Sequence, residues 1–234
     1  MDNYEDVIKC INDIESTDTS FFKISHNNKT LIISFAGNAH VGFERKSSLI
    51  QLKYQRNDFD LLFLRNYRKW YLGGLNKIGK NINHTISFLK KEFVKYNKII
   101  CIGSSAGGYA SILFGSLLNA NYIIGIGPQI DLEYTLKNLP KKMKPGLRDA
   151  TDNLIARKKQ CKKTWKKYNK LNDIINEISI YYINHLRTRN RLPLIEKVLH
   201  GEYHYNLIKD FPNVNKLNSK QNVLPLIIEL LDKL

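Results

Sequence analysis

The sequence predicts an α/β fold in which helices flank a mostly parallel central sheet. Short, continuous apolar runs recur along the chain and alternate with segments whose apolar residues have helical spacing. One of these runs passes through a glycine-rich turn directly into such a helical segment. Buried strands that alternate with helices are typical of βαβ units, in which the helix returns the chain to a parallel neighbour.

The individual elements are predicted from apolar spacing and from the turn residues between apolar runs. The first half of the chain supplies a helix over 4–15, a hairpin-like pair of strands over 21–25 and 30–35, a strand over 59–64 that ends in a polar loop at 65–68, a helix over 82–96, and a strand over 98–103 followed directly by a helix. The second half supplies a strand over 122–126, a mainly helical segment over 133–176 interrupted by Pro140 and Pro145, a strand over 178–183, a further strand near 194–199 and a closing helix over 222–233.

The size and composition of the chain fit one domain. Its 234 residues, 43% of them hydrophobic, can bury a single large core. No stretch rich in Gly, Pro or Ser divides the chain, so we expect one domain over 1–234. Within it, residues 133–176 are expected to form a basic helical cap inserted between two core strands.

The expected location is the cytoplasm. The first six residues include three acidic and no basic side chains, and no apolar segment of signal-peptide type follows them. No run approaches the ~20 apolar residues that cross a bilayer. Cys10, Cys101 and Cys161 are odd in number and far apart, which suits a reducing compartment and gives no metal-binding spacing.

The most informative motif is Gly103-Ser104-Ser105-Ala106-Gly107, which fits Gly-x-Ser-x-Gly. It lies between an apolar strand and a helix, a setting in which the central serine projects its hydroxyl above the sheet. We therefore predict an α/β-hydrolase-like fold with Ser105 as the nucleophile, while Ser104 lacks the central position. A turn that cradles a phosphate is the alternative, but the endings of a P-loop and of a dinucleotide site are both absent from the motif.

Two backbone donors are expected to stabilise an oxyanion beside Ser105. The amide of Ala106, at the positive end of the following helix, supplies one of them. The second is expected from the loop after the strand 30–35, where the amide of Gly37 or Asn38 is the candidate.

Serine also needs a base, which in this fold follows it along the chain. His204 is preferred because it lies in a loop that is expected to run into a helix after the last core strand, and His200 and His185 are the alternatives. For the acid, Asp131 follows a core strand at the edge where sites of open α/β sheets gather, and Glu202 is the other choice. A further alternative is a Ser–His dyad without an acidic residue, in which a backbone carbonyl orients the imidazole.

The chain carries a net charge of +16, and the excess is concentrated in residues 141–170. Twelve basic side chains there are opposed by two aspartates only. Such a field attracts phosphorylated glycans, CoA, nucleic acid or an anionic membrane surface, whereas the alternative is a solvated helical face. Nucleic acid is disfavoured because no recognition motif accompanies the charge. The substrate-binding candidates are Lys158, Lys159, Lys162 and Lys163, with Trp165 and Tyr168 as candidates for stacking on sugars or bases.

The elbow run and the later strand ending in Gly127-Pro128-Gln129 resemble the small α/β-hydrolase-fold proteins of bacterial surface-polysaccharide clusters, which include capsule O-acetyltransferases. The likeness spans residues 30–130 and the region of His204. It implies that Ser105 takes an acetyl group from acetyl-CoA and passes it to a sugar hydroxyl, with His204 as base. We expect neither a bound cofactor nor a metal. The family's aspartate follows a late strand, where residues 184–190 of this chain contain no carboxylate.

The predicted function is therefore acyl transfer through an acyl-serine, by an O-acetyltransferase or esterase acting on a bacterial surface glycan. The alternative is a catalytically degenerate hydrolase-fold module that binds an anionic glycan or another polyanion.

Overall fold

A computed structural model shows a six-stranded sheet with helices on both faces. The described residues are 3–37, 42–66, 70–126, 128, 131–137, 145–168, 171, 180–183 and 223–232. The strands are β1 (Phe21–Ile24), β2 (Thr30–Phe35), β3 (Asp60–Leu64), β4 (Lys98–Ser104), β5 (Tyr122–Ile126) and β6 (Ile180–Ile183). The helices are α1 (Tyr4–Glu15), α2 (Lys46–Arg56), α3 (Ile82–Phe93), α4 (Ala106–Leu117), α5 (Leu132–Lys137), α6 (Pro145–Gln160), α7 (Lys162–Tyr168) and α8 (Val223–Asp232).

The sheet is parallel except at one side. Its strand order is β1-β3-β2-β4-β5-β6, and among the described strands only β1 runs antiparallel to its neighbour. The other neighbours pair in parallel, so the carboxyl ends of β2 to β6 share one edge, called the carboxyl edge below. The predicted α/β fold with a mostly parallel sheet is therefore confirmed.

The predicted hairpin between the first two strands is wrong. β1 pairs with β3, where Lys23 lies opposite Leu62, and β3 separates β1 from β2. The connection between β1 and β2 is instead attached to Asp60, whose carboxylate accepts hydrogen bonds from the Ser25 hydroxyl at 2.6 Å and the His26 amide at 2.9 Å. With β1 moved aside, both edges of the apolar strand β2 are covered by parallel neighbours, as is typical of strands buried on both faces.

Two apolar layers cover the sheet. On one face, α3 and α4 pack over residues that include Ile99 and Cys101. On the other face, α1, α2 and α8 pack over residues that include Ile100 and Ile102. Consecutive residues of β4 thus point into opposite layers, as the two-residue period of a strand requires.

Helix α2 is an element that apolar spacing does not predict. Its first cap, Arg45, has a left-handed backbone with φ 60° and makes no capping hydrogen bond through its side chain. The helix nevertheless buries Leu49 and Ile50 completely. Because short helices draw most of their stability from tertiary packing, contact with the sheet explains its formation.

Arg65 also differs from its prediction as part of a polar loop. It follows β3, and its side chain is fully buried. Its guanidinium donates hydrogen bonds of 2.9–3.0 Å to the carbonyl oxygens of Ile14, Glu15, Thr17 and Thr19. The last carbonyls of a helix lack partners within it, so Arg65 caps the end of α1 from a distant part of the chain.

The predicted basic insertion is helical in its described part, since α5, α6 and α7 lie between β5 and β6. Pro145 begins α6, a position where its missing N–H costs no helical hydrogen bond. The strand predicted near 194–199 lies outside the described residues, and the single-domain organisation stays a prediction. In the described part of the chain, none of the helices combines the length and apolarity that a membrane crossing requires.

Asp60 makes the stability of the fold depend on pH. Burial alone would raise the pKa of its carboxyl group, but hydrogen bonds from the His26 amide and from Ser25, Tyr96 and Asn28 outweigh that effect and lower the pKa. A group with a lowered folded-state pKa stabilises the protein above its unfolded pKa of about 3.9, and this stability is lost as pH falls through the folded-state value.

We therefore expect Asp60→Asn to lower the free energy of unfolding by about 1–3 kcal/mol at neutral pH, with the difference from wild type narrowing below about pH 4. Urea unfolding between pH 3 and pH 7 measures both effects. The exposed Asp13, replaced by Asn, is the matched control and should show no such convergence. A constant difference between Asp60→Asn and wild type at every pH would contradict the role given to the Asp60 charge.

Candidate active site

Ser105 lies at a sharp turn between β4 and α4. Its backbone has φ 53° and ψ −118°, a combination that residues with a side chain rarely adopt. Such strain costs about 1–3 kcal/mol and persists only where the surrounding structure enforces it. The Ser105 amide donates to the Ile126 carbonyl at 2.8 Å, which joins the turn to the end of β5, and the residue remains partly exposed at the carboxyl edge.

The two glycines of the motif allow the turn to pack against backbone. A Cβ atom on Gly103 would lie 2.2 Å from the carbonyl oxygen of Gly107. A Cβ atom on Gly107 would lie 2.1 Å from the carbonyl oxygen of Phe35, at the end of β2. Real Cβ atoms do not approach other atoms so closely, so a side chain at either position would displace the turn that carries Ser105.

Of the predicted oxyanion donors, Ala106 and Gly37 are described and Asn38 lies outside the described residues. Ala106 is the first residue of α4, so its amide has no acceptor one turn earlier in the helix. The Gly37 amide donates to Oε2 of Glu44 at 2.7 Å. The Gly37 N–H thus has a carboxylate partner, and the roles of Ala106 and of Gly37 or Asn38 as oxyanion donors stay predictions.

Glu44 and Arg45 connect the loop between β2 and α2, residues 36–45, to the serine turn. We call this segment the oxyanion loop. Nη2 of Arg45 donates to Oγ of Ser104 at 3.0 Å and lies 3.7 Å from Oε1 of Glu44. The two side chains are only 8% and 6% exposed. Burial lowers the pKa of the Arg45 guanidinium and the charge of Glu44 opposes that shift; arginine stays protonated in proteins because its ordinary pKa is so high.

Asp131, the preferred acid, follows β5 on the carboxyl-edge side and directly precedes α5. Its carbonyl accepts hydrogen bonds from the Thr135 amide at 3.0 Å and the Thr135 hydroxyl at 2.8 Å, so its backbone starts the helix. The strand that leads to it ends at Ile126, the residue bonded to the Ser105 amide. Its role as the acid stays a prediction.

The predicted bases His204, His200 and His185, and the alternative acid Glu202, lie outside the described residues. Their roles therefore stay predictions.

The elements on either side of that segment are described. β6 is parallel to β5, so it ends with Ile183 at the carboxyl edge. The guanidinium of Arg56, the last residue of α2, pairs with Asp232, the last residue of α8, at 2.6 Å. Since α2 starts beside Ser104 and runs to the opposite edge, α8 ends at that opposite edge.

The four predicted substrate-binding lysines are all exposed. Lys158 has partners within the chain, because its Nζ lies 2.8 Å from the carboxylate of Glu133 and 5.8 Å from the centre of the Trp165 ring. The other three are Lys159 at the end of α6, and Lys162 and Lys163 at the start of α7.

Trp165 and Tyr168 are not available for stacking on a ligand, contrary to the prediction. Each is only 4% exposed and belongs to the core on the α4 side of the sheet. Nε1 of Trp165 donates to Glu133 at 2.7 Å, and the Tyr109 hydroxyl donates to the Tyr168 carbonyl at 2.7 Å. Because Tyr109 lies one helical turn after Ser105, these contacts place α7 close to the serine turn.

Within the described ranges, no three side chains of His, Cys, Asp or Glu are grouped as a metal site would need.

The turn at Ser105, after the central strand of a sheet with this order, decides the fold class. The fold is α/β-hydrolase-like. Comparison with solved structures finds serine hydrolase F of Staphylococcus aureus, which binds fluorophosphonates, at 12% identity and a TM-score of 0.46 over 82% of this chain and 84% of that one. A putative esterase of S. aureus is 11% identical, with a TM-score of 0.48 over 94% and 93%. Esterase B of Lactobacillus rhamnosis is 10% identical, with a TM-score of 0.47 over 95% and 99%.

The sequence matches no protein-family model and no curated protein. The assignment of the α/β-hydrolase-like fold rests on the strand order and serine turn of the chain itself.

Glu44 and Arg45 are the two residues of this region that sequence reasoning missed. One signal could have indicated them. They form a charged pair directly after Gly42 and Phe43, at the end of the very loop from which an oxyanion donor was expected. Their contacts with Gly37 and Ser104 could not be inferred, because only the folded chain brings these positions together.

Proposed function

We propose that the chain catalyses serine-dependent acyl transfer through an acyl-serine intermediate, as an O-acetyltransferase or esterase acting on a bacterial surface glycan. The observation that carries the proposal is the strained backbone of Ser105, held between glycines 103 and 107 at a partly exposed turn. Strain of this kind lowers stability, and it clusters at sites where function uses the strained residue.

In the first step, Oγ of Ser105 attacks the acyl carbonyl carbon while its proton passes to the imidazole of His204, with His200 and His185 as the alternatives. The bond to the leaving group, a CoA thiolate or an ester alkoxide, then breaks, and the imidazolium returns the proton to that group. The amide of Ala106 and that of Gly37 or Asn38 hold the oxyanion, and the N-terminal end of α4 adds positive potential. Asp131 is the proposed partner that orients the imidazole.

The end of β6 supports a base from the segment 184–222. β6 ends at the carboxyl edge, so the chain enters the histidine-bearing segment on the side of Ser105. Sites of open α/β sheets gather at this edge.

In the second step, a sugar hydroxyl or water attacks the acyl-serine with the same imidazole as base, which regenerates the Ser105 hydroxyl. The exposed Lys159, Lys162 and Lys163 support an anionic donor or acceptor, since they add positive charge to the helical region whose Tyr168 contacts Tyr109 in α4. Acetyl-CoA, which carries several phosphate charges, fits that field as the acyl donor.

Intact mass after incubation with acetyl-CoA tests the proposal. We expect wild type to gain one acetyl group that hydroxylamine removes, as it removes esters, and Ser105→Ala to gain none. Lysine acetylation, the obvious side reaction in so basic a chain, forms amides that resist hydroxylamine and appears equally in both proteins. Wild type that forms no hydroxylamine-labile adduct with acetyl-CoA or p-nitrophenyl acetate would contradict the proposal.

A polyanion-binding module is the second candidate. It is favoured by the lysines on the exposed face of α7, Lys162, Lys163, Lys166 and Lys167. Binding to an anionic matrix that weakens steeply with salt, in a chain that never becomes acylated, would support it over the enzyme.

A further inference from the structure

We propose that Glu44 is a positioning residue of the candidate active site, which fixes the Gly37 amide after β2, and that Arg45 couples it to the serine turn. The proposal rests on the acyl-serine function above, and it adds the residue that joins Gly37 to the turn of the nucleophile.

Glu44 holds the amide of Gly37 through its side chain. Oε2 of Glu44 accepts the Gly37 N–H at 2.7 Å, and the side chain of Glu44 is 6% exposed. The carbonyl of Glu44 in turn accepts the Ser34 hydroxyl at 2.9 Å. Hydrogen bonds to a carboxylate are stronger than those between neutral groups, so the peptide that joins Ala36 to Gly37 is held in one orientation.

Arg45 links Glu44 to the turn that carries the nucleophile. Arg45 extends from the same turn as Glu44 and donates to Oγ of Ser104 at 3.0 Å. Ser104 directly precedes Ser105, so one polar chain runs from Gly37 through Glu44 and Arg45 to the serine turn. Arg45 reaches this position with φ 60°, a left-handed backbone that costs about 1–2 kcal/mol in a residue other than glycine.

The negative charge of Glu44 is opposed by Arg45. A carboxylate near an oxyanion would raise the energy of the transition state if its charge were unopposed. Here the negative charge of Glu44 is shared between an amide N–H and a guanidinium 3.7 Å away. The pair therefore orients the loop without adding an uncompensated negative charge beside Ser105.

The residues on either side of Glu44 and Arg45 make contacts with a different part of the chain. The Phe43 amide donates to Oε1 of Glu15 at 2.5 Å, and Lys46 pairs with the same carboxylate, so these residues attach the loop to α1. Glu44 and Arg45 face the other way, towards β2 and the serine turn. A general role in anchoring the loop therefore belongs to Glu15, and a role in its local geometry belongs to Glu44.

Steady-state hydrolysis of p-nitrophenyl acetate tests the proposal. We expect Glu44→Ala to lower kcat by about 10- to 100-fold with KM unchanged within about twofold, as for other hydrogen-bond partners behind a catalytic group. Glu44→Gln should keep kcat within about threefold of wild type, because its amide oxygen can accept the same Gly37 N–H. Glu44→Asp, one methylene too short for that contact, should lose about tenfold even if Glu44→Ala does not fold.

Glu92→Ala is the matched control, because Glu92 is also a buried glutamate and pairs with Lys23 and Lys95 away from the serine turn. It should destabilise the chain and leave kcat unchanged. An unchanged or increased kcat in Glu44→Ala and Glu44→Asp, or an equal fall in Glu92→Ala, would overturn the proposal. Wild type without turnover that depends on Ser105 would instead overturn the acyl-serine function, and the positioning role with it.

Discussion

Replacing Ser105 with alanine is expected to abolish labelling by a fluorophosphonate probe and to lower ester turnover by about a thousandfold or more. The probe forms its covalent bond with an activated serine oxygen, and Ser105 occupies the turn that exposes such an oxygen above the sheet. In-gel fluorescence measures the labelling, and p-nitrophenyl acetate hydrolysis measures the turnover.

Two other serines control for this result. Ser104→Ala should still be labelled, because its hydroxyl accepts a hydrogen bond from Arg45 and is not at the centre of the motif. Ser116→Ala, from the same helix α4, removes a buried hydroxyl that has no partner among the described residues and should behave as wild type. Labelling of Ser105→Ala at the wild-type level would show that another residue is the nucleophile.

The strain at Ser105 can be measured with a second substitution at the same position. Ser105→Gly removes the side chain that makes φ 53° unfavourable, so it should be more stable than Ser105→Ala by about 1 kcal/mol. Both variants lack the nucleophile, so activity does not enter the comparison. Equal free energies of unfolding for the two would contradict a strained turn.

Gly107→Ala is expected to lower the free energy of unfolding by about 3 kcal/mol and to prevent fluorophosphonate labelling. Alanine favours helices over glycine by about 1 kcal/mol, so helix propensity alone predicts the opposite sign. The loss is expected because the new Cβ would lie 2.1 Å from the carbonyl oxygen of Phe35, and neither α4 nor β2 can move without displacing the turn. Urea unfolding and the labelling assay check the two parts.

Gly125→Ala is the control for this substitution. Its Cβ would first meet the flexible side chain of Ile112 at 3.1 Å, so we expect a loss of at most about 1 kcal/mol and full labelling. A Gly107→Ala variant as stable as wild type would contradict the close approach of the turn to β2.

Features formed by neighbouring residues can be predicted from the sequence, whereas features that join distant residues cannot. The strand β4, the turn at Ser105 and the helix α4 are consecutive, and glycine spacing predicts them because their sterics are local. The pairing of β1 with β3 is not local. A turn after Ile24 is equally compatible with a hairpin. In the structure, the connection between β1 and β2 is instead hydrogen-bonded to the carboxylate of Asp60, 34 residues beyond His26.

Polar residues show the same division. Arg65 has the composition of a surface loop, yet it is buried because the free carbonyls at the end of α1 lie within reach of its guanidinium. Trp165 lies among lysines in the sequence, as an exposed stacking residue would. It is nevertheless buried in the core on the α4 side of the sheet, where its Nε1 donates to Glu133. In both cases the partner that decides burial lies more than 30 positions away in the sequence.

Apolar periodicity and glycine sterics act over neighbouring residues, so the amino-acid sequence is enough to predict the α/β class, the succession of most strands and helices along the chain, and the position of the serine turn. Folding is needed to place β3 between β1 and β2, to bring Arg65 to the end of α1, and to join Gly37 to the serine turn through Glu44 and Arg45. These features depend on hydrogen bonds between groups that become neighbours only when the two faces of the sheet are covered.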